Sequence, residues 1–440
     1  MSQKSHQQIK VKPVIVLGRG QGWFCRSDGS LELVGDEGNL ALRVTESTKE
    51  LRKRLQSSAT LLEDTVVRNE TDLVELKREA LEADALLVYV IGVMPLQTLF
   101  HWGLPLIAFS GQYTPMLALY AFGVERHSQP GITIALDFQD IDNEIQLLGA
   151  TKKLRNARVA LFGFPPPLFS RWHHLPDLEL ASEKLGVSFT PIEITELVAR
   201  VPMIEEGEAQ KLAQRWLQEA KDVIEPSRAD VIDVARLFIT LANILEQGMA
   251  NAMAINCLEL MRLKGPPPCY AMARLRDEGI PAACEADVSA LLTMMLLGYL
   301  ANAPAFMGNV VGANPETNTL KISHCVVPTR MAGFDQPPRR YTLRNYHGSR
   351  GVTAHVELDI GQDVTIARLA RSMDKIMLLR GELVDCRDTT ACRTTISLRV
   401  SDVREFVHRA FGNHHAIVYG NHTRQTKSLS RVLGIGTVEL

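Results

Sequence analysis

The sequence contains no C-x-x-C pair, no long apolar run and no excess of basic charge. Its seven cysteines are scattered and odd in number, which argues for reduced thiols and against a disulfide framework or a thiolate zinc site. The longest apolar stretch, Leu291–Leu300, is too short to cross a bilayer, and the polar N-terminus lacks the apolar core of a secretory signal. The formal net charge of −2 provides no basic field for nucleic acid or an anionic membrane. We therefore expect a cytoplasmic protein that binds neither nucleic acid nor membrane.

The first half of the chain alternates short apolar runs with charged, helix-like segments. Between Val11 and Ile194 the strand candidates are KPVIVLG, ALLVYVIG, LPLIAFSG, GITIALDF, ARVALFGF and VSFTPIEI. Continuous apolar strands separated by helices indicate a buried parallel sheet, so this half is predicted to be α/β. The stretch FGFPPPLF, residues 162–169, interrupts the pattern and is typical of a hinge or domain boundary.

The glycine-rich stretch VIVLGRGQGW follows the first predicted strand. Its third glycine, Gly22, comes one residue early for a dinucleotide fingerprint, and no Lys-Ser/Thr pair follows for a P-loop. A strand-to-loop turn is therefore favoured over a nucleotide site.

The second half of the chain changes from helices to alternating strands. Arg228–Met249 carries an amphipathic helical stripe. After Leu320, the segments LKISHCVV, VTAHVELDIG, KIMLLRGELV and RTTISLRV alternate as antiparallel strands do. An αβα segment over about residues 402–434 completes the chain. With 440 residues, two or three domains are expected.

Residues 251–311 read as a βαβαβ unit, with its third strand in APAFMG. Parallel strands with right-handed crossovers place all their carboxyl ends at one edge, where ligand crevices form. The residues that follow the three strands are Glu259, then Glu285 with Asp287, then Gly308 with Asn309. This topology predicts that Glu285 and Asn309 are neighbours.

Each of these polar residues also has a structural reading. Glu285 and Asp287 could simply favour the start of the following helix. Asn309 alone could be a turn residue, and Glu259 a solvated helix position. Their type and placement therefore leave both a site and a helix start open.

Histidines and arginines supply further candidates. His414, His415 and His422 surround a short strand near the C-terminus, as either loop residues or neutral metal donors. His324 reads as a structural histidine in or beside a strand. The cations that could hold an anionic substrate group are Arg330, Arg339, Arg340, Arg344 and Arg393.

The linked motifs resemble the L-fucose isomerase / L-arabinose isomerase superfamily, most of all its shorter fucose-isomerase-like members. The resemblance is carried by PCYAMARLRDEGIPAACEADVSALLTMMLLGYLANAPAFMGN, ISHCVVPT, CRTT and GNHHAIVYG, and covers about residues 250–440. It implies N-terminal Rossmann-like parallel-sheet domains followed by a C-terminal antiparallel β-rich domain of fucose-isomerase type. The predicted domains are residues 1–164, residues 165–319 with the metal-site carboxylate, and residues 320–440 with the metal-site histidine.

The resemblance implies aldose–ketose isomerisation of a sugar through an enediol, with a divalent metal, Mn2+ or alternatively Mg2+. Glu285 matches the first metal carboxylate and His414 the metal histidine. Asn309 stands where the family has an aspartate, so it is a candidate neutral metal ligand or substrate contact. An amide cannot act as a carboxylate base and binds a hard cation more weakly. Glu285 and Asp287 are thus the candidate catalytic acids and bases, and His324 and Arg393 the candidate substrate contacts.

Two other functions fit the same residues. The first is decarboxylation or C–C hydrolysis of an oxo sugar acid, for which a second base is dispensable. The second is sugar binding without turnover. The resemblance also implies a homo-oligomer, a trimer or hexamer.

Overall fold

The computed structural model describes residues 9–17, 22–25, 31–34, 37–56, 58–91, 99, 102–109, 131–164, 175–390 and 392–440. The chain forms two compact units, residues 1–149 and 150–440. None of the helices within the described residues is long and apolar enough to cross a membrane.

The first unit is built on a parallel sheet, as the apolar strand pattern predicts. Its strand order is β4-β1-β6-β7-β8, with β5 also paired to β1, and β2 and β3 form a separate antiparallel pair. Alternate residues of β1 pack on opposite faces: Val14 and Val16 enter one apolar cluster, Val11 and Ile15 the other. The strands are β1 Lys10–Val16, β2 Gly22–Cys25, β3 Leu31–Val34, β4 Thr60–Leu61, β5 Thr65–Val67, β6 Ala85–Val90, β7 Leu106–Phe109 and β8 Ile132–Ile134; the helices are α1 Glu37–Leu55 and α2 Glu70–Glu79, and α3 Phe138–Arg155 runs on past residue 149.

The second unit opens with a four-stranded parallel sheet of order β10-β9-β12-β13. Its helix α7 begins at a capping box formed by Ser227 and Asp230 and matches the predicted amphipathic helix. The strands are β9 Arg158–Phe162, β10 Ser188–Ile192, β11 Asp222–Val223, β12 Ala252–Ile255 and β13 Ala282–Ala283; the helices are α4 Leu178–Leu185, α5 Ile194–Arg200, α6 Glu206–Glu219, α7 Arg228–Gln247, α8 Cys257–Arg262, α9 Cys269–Asp277 and α10 Val288–Ala301.

The rest of the second unit contains a closed antiparallel barrel, which confirms the antiparallel strands predicted after Leu320. The barrel order is β18-β21-β14-β15-β20-β19, and β19 closes it by pairing with β18. Outside the barrel, β22 adds to β19 in parallel, and β11, β16 and β17 form a three-stranded sheet. The strands are β14 Phe306–Asn314, β15 Thr319–His324, β16 Tyr341–Tyr346, β17 Arg350–Val356, β18 Asp363–Leu369, β19 Lys375–Asp388, β20 Thr394–Val400, β21 His414–Tyr419 and β22 Gly436–Glu439; the helices are α11 Val403–Arg409 and α12 Thr423–Val432.

The prediction of a βαβαβ unit over residues 251–311 is wrong in its last strand. β12 and β13 are parallel neighbours, as expected, but β14 leaves that sheet and joins the barrel between β15 and β21. Helix α10 is buried nearly all round and packs on β21 and β18, so it links the parallel sheet to the barrel. The apolar pattern identified the strand but not its partners, because pairing is decided by distant segments.

Some predictions concern residues outside the described ones. Gly18 and Gly20 of the glycine-rich stretch and residues 165–169 of FGFPPPLF are among them. The three-domain division and the fucose-isomerase type of the last domain stay predictions.

Candidate functional site

Glu285 lies in a tight turn between β13 and α10. Glu285 and Ala286 both have left-handed backbone conformations, with φ of 54° and 56°. This region is unfavourable for residues with a side chain, and such strain persists only where surrounding contacts hold it. Here the Ala286 N–H donates to the Ile255 carbonyl of β12 at 2.9 Å. The turn is therefore tied to the carboxyl end of a parallel strand, and Glu285 lies two residues before Asp287, the N-cap of α10.

Asp287 is the N-cap of α10 and also anchors two barrel residues. Its Oδ1 accepts a hydrogen bond from the Ala290 N–H at 2.8 Å. Its Oδ2 accepts from Arg368 Nη1 at 2.8 Å and from His414 Nδ1 at 3.0 Å. Burial would raise the pKa of Asp287, but the Arg368 charge and the His414 hydrogen bond hold that pKa well below its usual range. Asp287 is thus a buried, ionised carboxylate whose two oxygens both accept hydrogen bonds.

His414 opens β21, where it pairs with Asn309 of β14. A carboxylate can only accept a hydrogen bond, so the proton shared with Asp287 belongs to Nδ1 of His414. In the neutral form of the ring, the lone pair is consequently on Nε2. That atom is buried without a hydrogen-bond partner among the described residues, and it lies 3.6 Å from Oε2 of Glu285. His414 therefore presents a ligand nitrogen to the Glu285 carboxylate.

His324 presents an N–H group, rather than a lone pair, near Glu285 and His414. Its Nδ1 accepts the backbone N–H of Val326 at 3.1 Å, so the proton of the neutral ring is on Nε2. Burial lowers the pKa of His324 well below its usual range, which keeps the ring neutral. Its Nε2 is buried and has no hydrogen-bond partner in the part of the chain that the structure describes, and its ring lies edge-on to His414 with centroids 5.5 Å apart. His324 is therefore a hydrogen-bond donor in the site.

These three side chains form one cluster. A carboxylate oxygen of Glu285 and one ring nitrogen each of His324 and His414 all lie within 4.8 Å of one another. Two ligands that each lie about 2 Å from one ion are up to about 4 Å apart, and the 3.6 Å between Glu285 and His414 fits that limit. An outer carboxylate that fixes a ligating histidine is also the usual arrangement around protein-bound metals. The donor set therefore fits a divalent cation.

Asn309 is brought to the same end of the barrel by strand pairing. It faces His414 on β21 and Ser323 on β15, and its Oδ1 accepts a hydrogen bond from Nδ2 of Asn413. The preceding Gly308 is required by close packing, because a Cβ there would lie 2.4 Å from Ile322 Cγ2. The β14–β21 register thus places Asn309 beside His414, and the predicted proximity of Asn309 to Glu285 stays a prediction.

Arg393 lies before β20 and is engaged by the protein. Its Nη2 pairs with Glu225 at 2.8 Å, and its Nε donates to the Asn345 carbonyl at 3.0 Å. Arg344 shares Glu225, and Arg339 pairs with Asp359. A role of Arg393 in substrate binding remains a prediction.

The other residues proposed from the sequence form contacts within the protein. Glu259 forms an exposed ion pair with Arg262 in α8, which fits the solvated-helix reading. His415 packs against Phe406 with ring centroids 5.1 Å apart, and His422 Nε2 donates to the Tyr419 carbonyl.

Sequence reasoning missed Arg368, the buried partner of Asp287. Its Nη1 also donates to the His414 carbonyl at 3.0 Å, so one guanidinium joins the helix cap to the strand that carries the histidine. The close approach depends on Gly412, where a Cβ would lie 2.8 Å from Arg368 Nε. The available signal was a lone cation within the apolar stretch VTIARLA.

The chain is similar in sequence to known enzymes. No family model matches the chain. The chain is 25% identical over 321 residues to sulfoquinovose isomerase of Priestia megaterium (strain ATCC 12872 / QMB1551), covering 67% of each chain. It is 23% identical over 316 residues to sulfoquinovose isomerase of Alkalicoccus urumqiensis, again covering 67% of each. Among solved structures, D-threo-3-hydroxyaspartate dehydratase from Delftia sp. HT23 is 12% identical over 97% of this chain and 87% of that chain, and its TM-score of 0.14 carries no argument about fold.

The curated relatives confirm the prediction of an enzyme related to the sugar isomerases. Sugar isomerases are intramolecular oxidoreductases, the class expected from the sequence.

Proposed function

We propose that this protein is a divalent-metal-dependent aldose–ketose isomerase of the L-fucose isomerase / L-arabinose isomerase superfamily. The observation that supports this most is the pair of buried imidazoles beside Glu285. One imidazole offers a ligand nitrogen and the other an N–H donor, each fixed by a hydrogen bond on its far side. Two metal ligands beside a hydrogen-bond donor suit the stabilisation of the negative charge of an enediolate.

Glu285 and His414 are the proposed metal ligands, with Asn309 as a neutral third ligand or substrate contact. Mn2+ is the first candidate and Mg2+ the second, because the set combines carboxylate and amide oxygens with one imidazole. When bound, such a cation would act as a Lewis acid on the adjacent carbonyl and hydroxyl oxygens of a sugar.

In the proposed reaction, His324, Glu285 and Asp287 have separate roles. Nε2–H of His324 donates a hydrogen bond to the sugar oxygen on which negative charge develops. Glu285 is the candidate acid/base for moving the proton between the two sugar carbons. Asp287 is assigned a positioning role, because its oxygens are already bonded to Ala290, Arg368 and His414. It orients His414 and does not reach the substrate.

Sulfoquinovose is the first candidate substrate, and this choice rests on the names of the relatives. Decarboxylation or C–C hydrolysis of an oxo sugar acid is the second candidate function. It is favoured by one observation: with Asp287 engaged, Glu285 is the one carboxylate of the described cluster that is available for proton transfer.

Proton NMR in deuterated water tests these alternatives. The purified protein with Mn2+ is incubated separately with sulfoquinovose, neutral aldoses and ketoses, and sugar acids. An isomerase interconverts an aldose and a ketose and exchanges or transfers the C1/C2 proton, whereas a decarboxylase releases carbon dioxide. Full turnover in excess chelator, or by Glu285→Gln, contradicts the proposal. Glu259→Gln is the matched control, because it removes a partly exposed carboxylate that pairs with Arg262 and is not a member of the cluster.

Two proposals concern the whole protein: the scattered, odd cysteines support a cytoplasmic location, and the resemblance supports a homo-oligomer of three or six chains. Light scattering of the purified protein measures the number of chains directly.

A further inference from the structure

A second group of ligand atoms contains none of Glu285, His324 and His414. Sγ of Cys325, a ring nitrogen of His347 and Sγ of Cys392 all lie within 4.8 Å of one another. The Cys392 Sγ is 3.8 Å from Nε2 of His347. With metal–sulfur and metal–nitrogen bonds of about 2.3 and 2.1 Å, two ligands of a tetrahedral ion are about 3.6 Å apart, so this separation needs little adjustment.

The three ligands come from three separate segments. Cys325 follows β15, His347 occupies the turn between β16 and β17, and Cys392 precedes β20. No C-x-x-C pair is therefore present, which is why the sequence argued against a thiolate site. The fold instead brings together three residues that lie in separate segments of the sequence.

Both the turn and the loop are held in place by other contacts. His347 has a left-handed backbone, φ 48°, and its ring stacks on Tyr346 with centroids 4.1 Å apart. The carbonyl of Cys392 accepts hydrogen bonds from the Thr389 hydroxyl at 2.7 Å and the Ser323 hydroxyl at 3.1 Å. The ligand atoms are thus already gathered, and little further ordering of the backbone is needed.

We propose that Cys325, His347 and Cys392 form a site for a soft or borderline metal ion, Zn2+ or Cu+. Two sulfurs and one imidazole differ from the carboxylate, amide and imidazole of the proposed catalytic centre, so the two sites select different metals. On binding, each thiol releases its proton to solvent, and the metal takes the two sulfurs as thiolates. Three protein ligands leave the fourth position of a tetrahedral ion to water or another ligand. This inference is independent of the proposed isomerase activity.

The metal would join three segments around Arg393. Cys392 directly precedes Arg393, and Arg393 donates to the carbonyl of Asn345, two residues before His347. Binding is therefore expected to stiffen the loop before β20 and the β16–β17 turn together.

Cobalt absorption tests the site on the full chain under reducing conditions, with Co2+ as the probe. We expect a thiolate-to-cobalt charge-transfer band and intense tetrahedral d–d bands, which Zn2+ displaces at one equivalent per chain. The bands should be lost in Cys392→Ser and weakened in His347→Gln. They should persist in Glu285→Gln, which separates this site from the proposed catalytic centre. Absence of the charge-transfer band from the wild-type protein overturns the proposal.

The matched control is Cys386→Ser, because Cys386 is a half-buried thiol that donates to the Val356 carbonyl and lies outside the group. Its cobalt spectrum should equal that of the wild type. Circular dichroism checks that Cys392→Ser is folded. If Cys392→Ser is folded and keeps the full charge-transfer band, the assignment of Cys392 is wrong.

Discussion

Oδ2 of Asp287 accepts a hydrogen bond from Nδ1 of His414 at 3.0 Å, with both side chains buried. The same carboxylate caps α10 and pairs with Arg368. One side chain therefore connects the start of a helix to the barrel strand that carries the proposed metal ligand. Because this contact fixes which nitrogen of His414 is free, the chemistry of the site depends on a residue outside the proposed ligand set.

Asp287→Asn should weaken Mn2+ binding by about 10- to 100-fold, the usual effect of losing an outer partner of a ligating histidine. It should also destabilise the protein by roughly 3–5 kcal/mol, since Arg368 keeps a buried charge without its counterion. Mn2+ titration followed by electron paramagnetic resonance measures the first effect and urea unfolding the second. The control is Asp363→Asn, which removes one member of the exposed pair with Arg380. Unchanged Mn2+ affinity in Asp287→Asn would rule out the positioning role.

His324→Phe and His414→Gln should have different effects, because the two imidazoles carry their protons on opposite nitrogens. Loss of the Nε2–H donor in His324→Phe should lower kcat by roughly 100- to 1000-fold and leave Mn2+ affinity nearly unchanged. His414→Gln should weaken Mn2+ binding by more than the about 10- to 100-fold expected for an outer partner. Parallel Mn2+ titrations and steady-state kinetics distinguish them. Equal losses of Mn2+ affinity would mean that His324 is also a ligand.

Asn309→Asp should strengthen Mn2+ binding by about tenfold or more, a gain of roughly 1.4 kcal/mol, because a carboxylate replaces an amide next to a hard cation. The aspartate can still accept the hydrogen bond from Asn413. Asn314→Asp is the control, since it adds the same charge at the exposed far end of β14. An affinity gain of the same size in both variants would show a general charge effect and remove Asn309 from the ligand set.

The stability of the second unit should depend on pH through Asp277. Burial raises the pKa of this carboxyl to about 6 from 3.8, and Arg274 and hydrogen bonds from Thr329 and Arg330 offset only part of the rise. Between about pH 4 and pH 6 the folded state therefore binds more protons than the unfolded state. Stability falls as pH rises through this window, by up to about 3 kcal/mol.

Urea unfolding from pH 4 to pH 8 measures this dependence. Asp277→Asn should gain stability relative to the wild type as pH rises, since it has no carboxyl to ionise. Asp233→Asn, which changes an exposed acid paired with Arg236, should follow the wild-type curve. If Asp277→Asn follows the wild-type curve as well, the carboxyl is not responsible.

Local sequence patterns determined most of the secondary structure and the main site candidates. The apolar runs of the first half gave parallel strands, and the alternation after Leu320 gave antiparallel ones, because both periodicities follow from local backbone geometry. Glu285 and His414 could be proposed from motif resemblance before any contact was known. Asp287 could be placed at a helix start because capping is also local.

Tertiary structure decided what periodicity cannot encode. The position of β14 in the barrel depends on pairing with β21, more than 100 residues away in the chain. The proton positions on His324 and His414 depend on hydrogen bonds, one of them to Asp287 on a distant helix. The meeting of Cys325, His347 and Cys392 likewise required three segments to converge. The sequence by itself determined the elements and the reactive residue types, whereas long-range packing decided which of them share a site and which atom each one presents.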